Sequence, residues 1–243
     1  MTNYDYQAGS QRISNILNQK MTDEDRKKVP PESQMTHSNG YTMWVSSIFV
    51  DIRDSTKLFS NNDRDMVTRI VRSFVSEVIQ ILDSDTPAEI GIRGDCVYGI
   101  YSTPTKSHVH LVYEKAFYIN TLMKLLNRHY SKKRYPQIKA GIGLAVSEVL
   151  VVKAGSKGSG INDRVWIGKA VSEASNLSKY GNKGGIEPIV MSESFYGKII
   201  EIVRKGGGDD KWFKSITTND GSVRHCNIVS THFDNWIDNN SGL

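Results

Sequence analysis

The stretch that decides the fold reads YTMWVSSIFVDIRDST and covers residues 41–56. Its first part is rich in aromatic and β-branched residues, which is typical of a buried strand, and we place that strand at about 43–51. A short turn and the start of a helix follow, so Asp51 lies at the end of the strand. The backbone N–H groups of residues 52–56, which open the helix, are suited to hold a phosphate group. The stretch therefore predicts a strand–turn–helix unit with a carboxylate at its turn.

A second aspartate lies in the tetrapeptide RGDC at residues 93–96, between short strands predicted at 88–92 and 96–101. This pattern predicts a hairpin with charged residues at its tip. Two strand-end carboxylates that lie side by side can share divalent cations, and such hard oxygen ligands suit Mg²⁺ or Mn²⁺. On the residues alone, Asp51 also fits a helix N-cap and Asp95 a plain turn residue, so both interpretations stay open.

The hydrophobic pattern along the rest of the chain predicts an α+β fold. Apolar residues spaced by three and four predict two long helices, at 63–82 and 108–129. The other predicted elements are a short helix within 10–19, two strands in 138–152, a Gly- and Ser-rich loop at 153–164, a helix at 168–180, a strand at 189–191, a helix at 192–199 with Ser192 as N-cap, and a final hairpin. Hairpins interrupt the alternation of strands and helices, which favours a mostly antiparallel sheet with helices packed on one face.

Composition and charge limit the classes of function. The 243 residues are 38% apolar and 23% charged, as in an ordinary globular protein, and we divide them into a polar N-terminal arm at 1–40 and one domain at 41–243. Neither a run of about 18 apolar residues nor an apolar N-terminal core occurs, so we expect no membrane span and no secretory signal. Cys96 and Cys226 are too few for a disulfide framework, which favours the cytoplasm. The net charge of +5 is too small to predict a nucleic-acid partner.

Four short motifs occur in a characteristic order. DIRDST follows an apolar strand and resembles an Asp-Ile-x-Gly-Phe-Thr turn, and GDCVYGIY further along resembles a Gly-Asp hairpin. GKAVSEASNL, at residues 168–177, resembles a Gly-x-x-Val-Asn-x-Ala-x-Arg-Leu helix, and RKGGGDDKWF resembles a late Lys-Gly hairpin. Together they resemble the class III nucleotidyl cyclases over roughly residues 43–215. The resemblance implies that family's catalytic domain, with a ferredoxin-like βαββαβ core.

The resemblance also implies a chemistry. Asp51 and Asp95 would hold two Mn²⁺ or Mg²⁺ ions, with the Ile52 carbonyl as a further ligand. The ions would neutralise a triphosphate and promote in-line attack of the ribose 3′-hydroxyl on the α-phosphorus, with pyrophosphate leaving. The family builds its sites between two catalytic domains. A homodimer is therefore implied, in which the two aspartates of one subunit face the helix at 168–177 of the other.

Further site residues follow from the same resemblance. With Asp51 and Asp95, the implied catalytic residues are Ser172 and Asn176, which stand where the family has Asn and Arg and which add no charge. The implied substrate-binding residues are Phe49, Ile52, Arg53, Asp54, Ser55, Thr56, Gly91, Arg93, Val165 and Lys211. The candidates to replace the missing arginine charge are Lys169, Lys183, Lys205 and Lys211. Asp54 replaces the usual Gly, and its negative charge near a triphosphate needs compensation by Arg53 or by a metal ion.

The two positions that read a purine base in the family are altered here. One, normally Lys or Glu, is Gly91, and the other, normally Asp or Cys, is Val165. Neither side chain can hydrogen-bond a purine, whereas Arg93 can donate to a base carbonyl or to a phosphate. With these departures, the chain resembles the bacterial pyrimidine cyclases of the Pycsar antiphage system. That resemblance implies a uridylate cyclase that makes cyclic UMP, which activates an effector protein. Uracil has two carbonyl acceptors, which favours UTP over CTP.

Other functions remain open on the sequence. A cytidylate cyclase would make cyclic CMP, and an adenylate cyclase could read adenine through backbone groups. A degenerate cyclase domain could serve as a nucleotide sensor or a dimerisation module, which the loss of arginine at Asn176 favours. The intact pair Asp51 and Asp95 argues against the degenerate domain, because such a domain needs no metal carboxylates.

Overall fold

The computed structural model of the chain describes residues 4–85, 87–156 and 162–240, and in these ranges nine strands form one sheet. The strands are β1 (Thr22–Asp25), β2 (Asn39–Ile52), β3 (Glu89–Arg93), β4 (Cys96–Ser102), β5 (Ala140–Gly155), β6 (Asn162–Ile167), β7 (Ile189–Ser192), β8 (Lys214–Thr218) and β9 (Gly221–Cys226). The helices are α1 (Tyr6–Leu17), α2 (Ser55–Asn61), α3 (Arg64–Leu82), α4 (Lys106–Lys132), α5 (Lys169–Ser178), α6 (Glu193–Lys205) and α7 (Thr231–Asn239).

The sheet is mixed and mostly antiparallel. Its main path runs β3-β4-β2-β5-β7-β9-β8, while β1 pairs with β2 and β6 pairs with β5. Only β1–β2 and β5–β7 are parallel among the described pairs. The α+β fold with helices packed on a mostly antiparallel sheet is therefore confirmed. Within the described ranges, none of the helices combines the length and the apolar character that a membrane crossing requires.

Helices cover both faces of the sheet, so the prediction of helices on one face was wrong. Ile48 and Val50 of β2 point into the main core, which also contains side chains of α3, α4 and α6. Phe49 points the opposite way and packs with Ala145 of β5 and Ala174 of α5. Residues 45–50 of β2 are all buried, so the strand does not alternate between buried and exposed residues. Without this alternation, the sequence does not show that helices pack against both faces of the sheet.

Several elements differ from the sequence predictions. The region 138–152 forms one long strand, β5, instead of two, and β6 begins inside the predicted loop, of which residues 157–161 lie outside the described residues. β1 was not predicted because its four residues are polar and exposed, and it joins the sheet through its backbone pairing with β2. α7 was also missed. The Ser192 N-cap is confirmed, since its hydroxyl accepts from the Phe195 N–H at 3.2 Å.

Two glycines let α5 lie directly on β5. A Cβ atom on Gly141 would lie 2.1 Å from the carbonyl oxygen of Ser178, and one on Gly143 would lie 2.0 Å from that of Ala174. Both oxygens belong to the helix backbone, which cannot move away without shifting the helix. The glycines therefore set the height of α5 above the sheet.

We expect Gly143→Ala to lower the free energy of unfolding by about 1–3 kcal/mol, because the added methyl group overpacks a backbone contact. Urea titration followed by circular dichroism measures the change. Gly197→Ala is the matched control, since Gly197 lies in α6 with no atom within 4 Å of an added Cβ. The control should raise stability by up to about 1 kcal/mol through helix propensity. Equal stability of Gly143→Ala and the wild type would contradict the packing argument.

Candidate active site

The two aspartates lie at the same end of the sheet. Asp51 is the penultimate residue of β2, where it pairs with Cys96 of β4 on one side and Gly141 of β5 on the other. Asp95 is the residue before β4, in the turn that joins β3 to β4, and Gly94 in this turn has a φ of 64°. The register therefore brings the hairpin tip beside the end of β2.

The electrostatics of Asp51 reflect this neighbourhood. Burial raises the pKa of Asp51 above its ordinary value, and the Asp95 carboxylate adds to the rise because two like charges repel. Three cations act in the opposite direction, those of Arg53, Lys183 and Lys179. The two carboxylates are thus close enough to interact, and cations of the turn after β2 and of the segment after α5 act on Asp51.

Asp95 Oδ2 is buried and has no hydrogen-bond partner. An unpaired carboxylate oxygen is costly to bury, and a cation removes that cost. Two carboxylates with an orphaned oxygen fit a hard divalent cation such as Mn²⁺ or Mg²⁺. No group of three or more His, Cys, Asp or Glu side chains suited to a metal occurs in the described part of the chain. The remaining ligands would have to be backbone carbonyls, water or substrate oxygens.

The neighbouring thiol is not suited to join the carboxylates as a ligand. Burial, together with the charge of Asp51, raises the pKa of Cys96 to about 12. The thiol therefore stays protonated near neutral pH, and only the thiolate is a good metal ligand. Cys96 acts as a half-buried apolar group against Phe49.

Arg53 is directed into the protein. Its guanidinium forms an ion pair with Asp51 Oδ2 and donates to the carbonyl oxygen of Lys179, the C-cap residue of α5, at 2.8 Å. Arg53 therefore lies beside Asp51, on the side of the carboxylate that faces the protein interior.

The turn after β2 contains a strained residue. Asp54 has a φ of 53°, in the left-handed region, which explains why glycine is usual at this place. Its side chain is exposed and does not cap α2. Ser55 and Thr56 form the first turn of α2, while the Ile52 side chain is buried in the main core. Residues 52–56 therefore form the turn and the helix start that directly follow Asp51.

An aromatic ring covers Gly91, the first of the two predicted base-reading positions. A Cβ atom on Gly91 would lie 2.3 Å from Cζ and from the hydroxyl oxygen of Tyr98. The Tyr98 ring stacks on Phe49, with centroids 5.0 Å apart and planes inclined by 12°. Its hydroxyl donates to Glu89 at 2.8 Å. Burial raises the pKa of Tyr98 to about 12, so the hydroxyl stays a donor.

The same glutamate also binds Trp166, the neighbour of Val165 at the second predicted base-reading position. The other oxygen of Glu89 accepts from the indole N–H of Trp166 at 2.7 Å, so this side chain connects β3, β4 and β6. Val165 is next to Trp166 and is 43% exposed. Sequence reasoning missed Tyr98, Glu89 and Trp166. The only signal was an acidic residue and two aromatic residues on short strands beside the named positions, which does not reveal that they share hydrogen bonds.

The remaining predicted residues lie on three different parts of the chain. Ser172 and Asn176 are on α5, Arg93 is at the end of β3, where it pairs with Cys96 beside Asp95, and Lys211 lies between α6 and β8. Ser172 is exposed near the start of α5, whereas Arg53 contacts the end of this helix, about two helical turns or ~10 Å away. Asn176 donates to Asp220 at 3.4 Å. Arg93 and Lys211 are both exposed.

Comparison with known proteins places this geometry in a family. The family model described as the adenylate and guanylate cyclase catalytic domain matches residues 39–197. A uridylate cyclase of Treponema porcinum is 45% identical over 243 residues, which cover 99% of this chain and 82% of the relative. A uridylate cyclase of Gulbenkiania mobilis is 34% identical over 182 residues, which cover 72% of this chain and 70% of the relative.

Solved structures share the fold at low sequence identity. A bacterial light-regulated adenylyl cyclase has a TM-score of 0.63 at 18% identity and covers 82% of this chain and 98% of its own. The adenylyl cyclase CyaB from P. aeruginosa has a TM-score of 0.61 at 17% identity, with coverage of 76% and 93%. At these identities, the likeness concerns the fold alone.

We expect Asp95→Asn to raise the metal-free free energy of unfolding by about 1–2 kcal/mol, because it removes a buried unpaired charge beside Asp51. Mn²⁺ should stabilise the wild type, by about 2.7 kcal/mol at a hundredfold excess over its Kd, and should stabilise the variant less. Urea titration with and without Mn²⁺ measures both changes. Asp83→Asn, at an exposed carboxylate after α3, is the control and should change neither. A destabilised Asp95→Asn with an unchanged Mn²⁺ response would contradict the assignment.

Proposed function

Because the chain belongs to the adenylate and guanylate cyclase catalytic domain family and is therefore a nucleotidyl cyclase, we propose that it is a uridylate cyclase. The reaction converts UTP to 3′,5′-cyclic UMP and pyrophosphate, which makes the enzyme a phosphorus–oxygen lyase. The observation that carries the proposal is the orphaned Asp95 oxygen beside Asp51, at the end of the sheet. The names of the two relatives support the choice of UTP.

Asp51 and Asp95, with the Ile52 carbonyl, would hold two Mn²⁺ or Mg²⁺ ions. When bound, these ions supply positive charge to the triphosphate and lower the pKa of the ribose 3′-hydroxyl. The protein's own contribution is to hold both carboxylates at one place before the substrate arrives, so that little reorganisation is needed during the reaction. The missing partner of Asp95 Oδ2 supports this role.

The triphosphate would lie over the turn at residues 52–56 and accept from the N–H groups of Ser55 and Thr56. The N–H groups of Arg53, Lys57 and Leu58 already donate to backbone carbonyls. Lys183 and Lys179 act on Asp51 through their charges, so they are near enough to offset phosphate charge as well. They are candidates to supply the charge that Asn176 does not. Lys211 does not lie in the predicted hairpin, and it would reach the phosphates from the short 3-10 helix (Asp210–Trp212) that precedes β8. Asp54 is exposed at this turn, and its charge would be offset by the bound metal ions.

The sites would be built between two copies of the chain. Ser172 and Asn176 lie along α5, with Ser172 about 10 Å from the end that contacts Arg53. The family resemblance supports the proposal that both residues act on a substrate that is held by the aspartates of a second subunit. A homodimer with two composite sites satisfies this requirement.

A pyrimidine base fits the groups at the base end of the site. Tyr98 occupies the space in which a longer side chain at residue 91 would lie, and Val165 offers no hydrogen bond. The Tyr98 ring, which stacks on the buried Phe49, would leave less room for a two-ring base than for a pyrimidine. Arg93, exposed at the hairpin tip, would donate to the carbonyl groups of uracil.

The proposal includes a cellular role. The product would act as a second messenger in antiphage defence of the Pycsar type, in the cytoplasm, where it would activate an effector protein that binds cyclic UMP. The resemblance to pyrimidine cyclases supports this role. Neither nucleic acid nor a membrane is needed as a partner.

Incubation of the full chain with all four ribonucleoside triphosphates and Mn²⁺, followed by chromatography, tests the reaction. We expect cyclic UMP as the main product and a loss of at least about a hundredfold in Asp51→Asn, since metal binding fails. Asp83→Asn is the matched control and should keep full activity. Cyclic CMP as the main product would establish the cytidylate alternative, and cyclic AMP would overturn the interpretation of Gly91 and Val165. No product at all would favour a nucleotide sensor.

Arg93→Ala tests base recognition. If Arg93 donates to uracil, the ratio of kcat/KM for UTP to that for CTP should fall by about tenfold or more, because a charged hydrogen bond contributes about 1.5–3 kcal/mol. Steady-state kinetics with both nucleotides measures the ratio. A uniform loss for both nucleotides would instead assign Arg93 to the phosphates.

A further inference from the structure

The guanidinium of Arg53 is almost completely buried, with 5% of the side chain exposed. Nη1 donates to the Lys179 carbonyl oxygen at 2.8 Å, and Nη2 donates to the Asp51 carbonyl oxygen at 3.3 Å and to its Oδ2. Nε is 3.4 Å from the same Asp51 carbonyl. All three nitrogens therefore bind protein oxygens, which leaves Arg53 poorly placed to bind a substrate directly.

The surroundings of Arg53 are shaped to hold it. A Cβ atom on Gly141 would lie 3.1 Å from Arg53 Cζ, so a glycine on β5 leaves the room that the planar group needs. The Arg53 N–H also donates to the Lys139 carbonyl at 2.8 Å, which fixes the backbone at the root of the side chain. At its far end, the positive charge meets the carbonyl end of α5, where the helix dipole favours cations.

The ion pair between Arg53 and Asp51 involves one particular oxygen of the carboxylate. The ion pair uses Oδ2, so a shared cation would be bound through Oδ1. The additional bonds from Nη2 and Nε to the Asp51 carbonyl hold the guanidinium against the same residue's backbone. A carboxylate that is held in this way has one orientation instead of several, which lowers the entropic cost of binding a metal ion.

We propose that Arg53 is a positioning residue for the metal site, which fixes the Asp51 carboxylate and ties it to the C-terminal end of α5. The inference rests on the proposed function only in that Asp51 and Asp95 bind a divalent cation. The positioning role predicts weaker cation binding when Arg53 is replaced. If Arg53 acted only by repelling the cation, its removal would strengthen cation binding instead.

Mn²⁺ binding to the full chain without nucleotide, measured by the loss of the free-Mn²⁺ signal in electron paramagnetic resonance, tests the proposal. We expect Arg53→Met to raise the Kd for Mn²⁺ by about 10–100-fold, as is typical for loss of a group that orients a metal ligand. Arg53→Lys should restore part of the affinity, because a lysine can still pair with Asp51. Arg72→Met, at an exposed arginine of α3, is the control for the lost charge and should bind as the wild type does.

An unchanged or lower Kd in Arg53→Met would overturn the proposal, and so would a wild type that does not bind Mn²⁺. Arg53→Lys keeps the test valid if the methionine variant does not fold. A merely structural role would lower the active fraction, and so kcat, without shifting the Mn²⁺ concentration for half-maximal activity, whereas we expect this concentration to rise.

The two proposals fail differently. Mn²⁺ binding that depends on Arg53, without a cyclic nucleotide from any triphosphate, would overturn the proposed function and leave the positioning role intact. Cyclic UMP production with Mn²⁺ binding that does not depend on Arg53 would overturn the positioning role alone.

Discussion

The close backbone approach of α5 to β5 is the constraint on which the site depends. Gly141 and Gly143 permit it, since a side chain on either would collide with helix carbonyl oxygens at about 2 Å. This approach brings the end of α5 to the end of β2, where the buried Arg53 connects the Lys179 carbonyl to Asp51. The surroundings of the Asp51 carboxylate thus follow from glycines on a neighbouring strand.

The balance of charge at this end of the sheet follows from the same packing. Two carboxylates are brought together and partly desolvated, which is unfavourable without a counter-charge. Arg53 offsets one of them from the protein side, while Lys179 and Lys183 act from the loop that follows α5. Asp95 Oδ2 is left without a partner, and a divalent cation bound with a triphosphate would complete the balance.

Motifs predicted the fold class and the candidate site better than periodicity predicted the individual elements. The turn after Asp51 and the hairpin at Asp95 could be found because each combines a strand end with a charged turn. The helix on the second face of the sheet could not be predicted from the sequence. The buried run in β2 has no alternation of apolar and polar residues, and the glycines of β5 look like a strand break. The inward direction of Arg53 and the contact of Tyr98 with Glu89 depend on register between distant strands, which no local pattern contains.

Anomalous diffraction at the manganese edge, from crystals grown with Mn²⁺ and a UTP analogue that lacks the 3′-hydroxyl, tests the central claim most directly. We expect manganese peaks between Asp51 and Asp95, with Arg53 still on Asp51 Oδ2. We also expect the analogue to lie between these carboxylates and α5 of a second copy of the chain, with its base beside Tyr98. Manganese bound away from the two aspartates, or an analogue bound within one copy and away from α5 of another, would rule out a composite metal site of this kind.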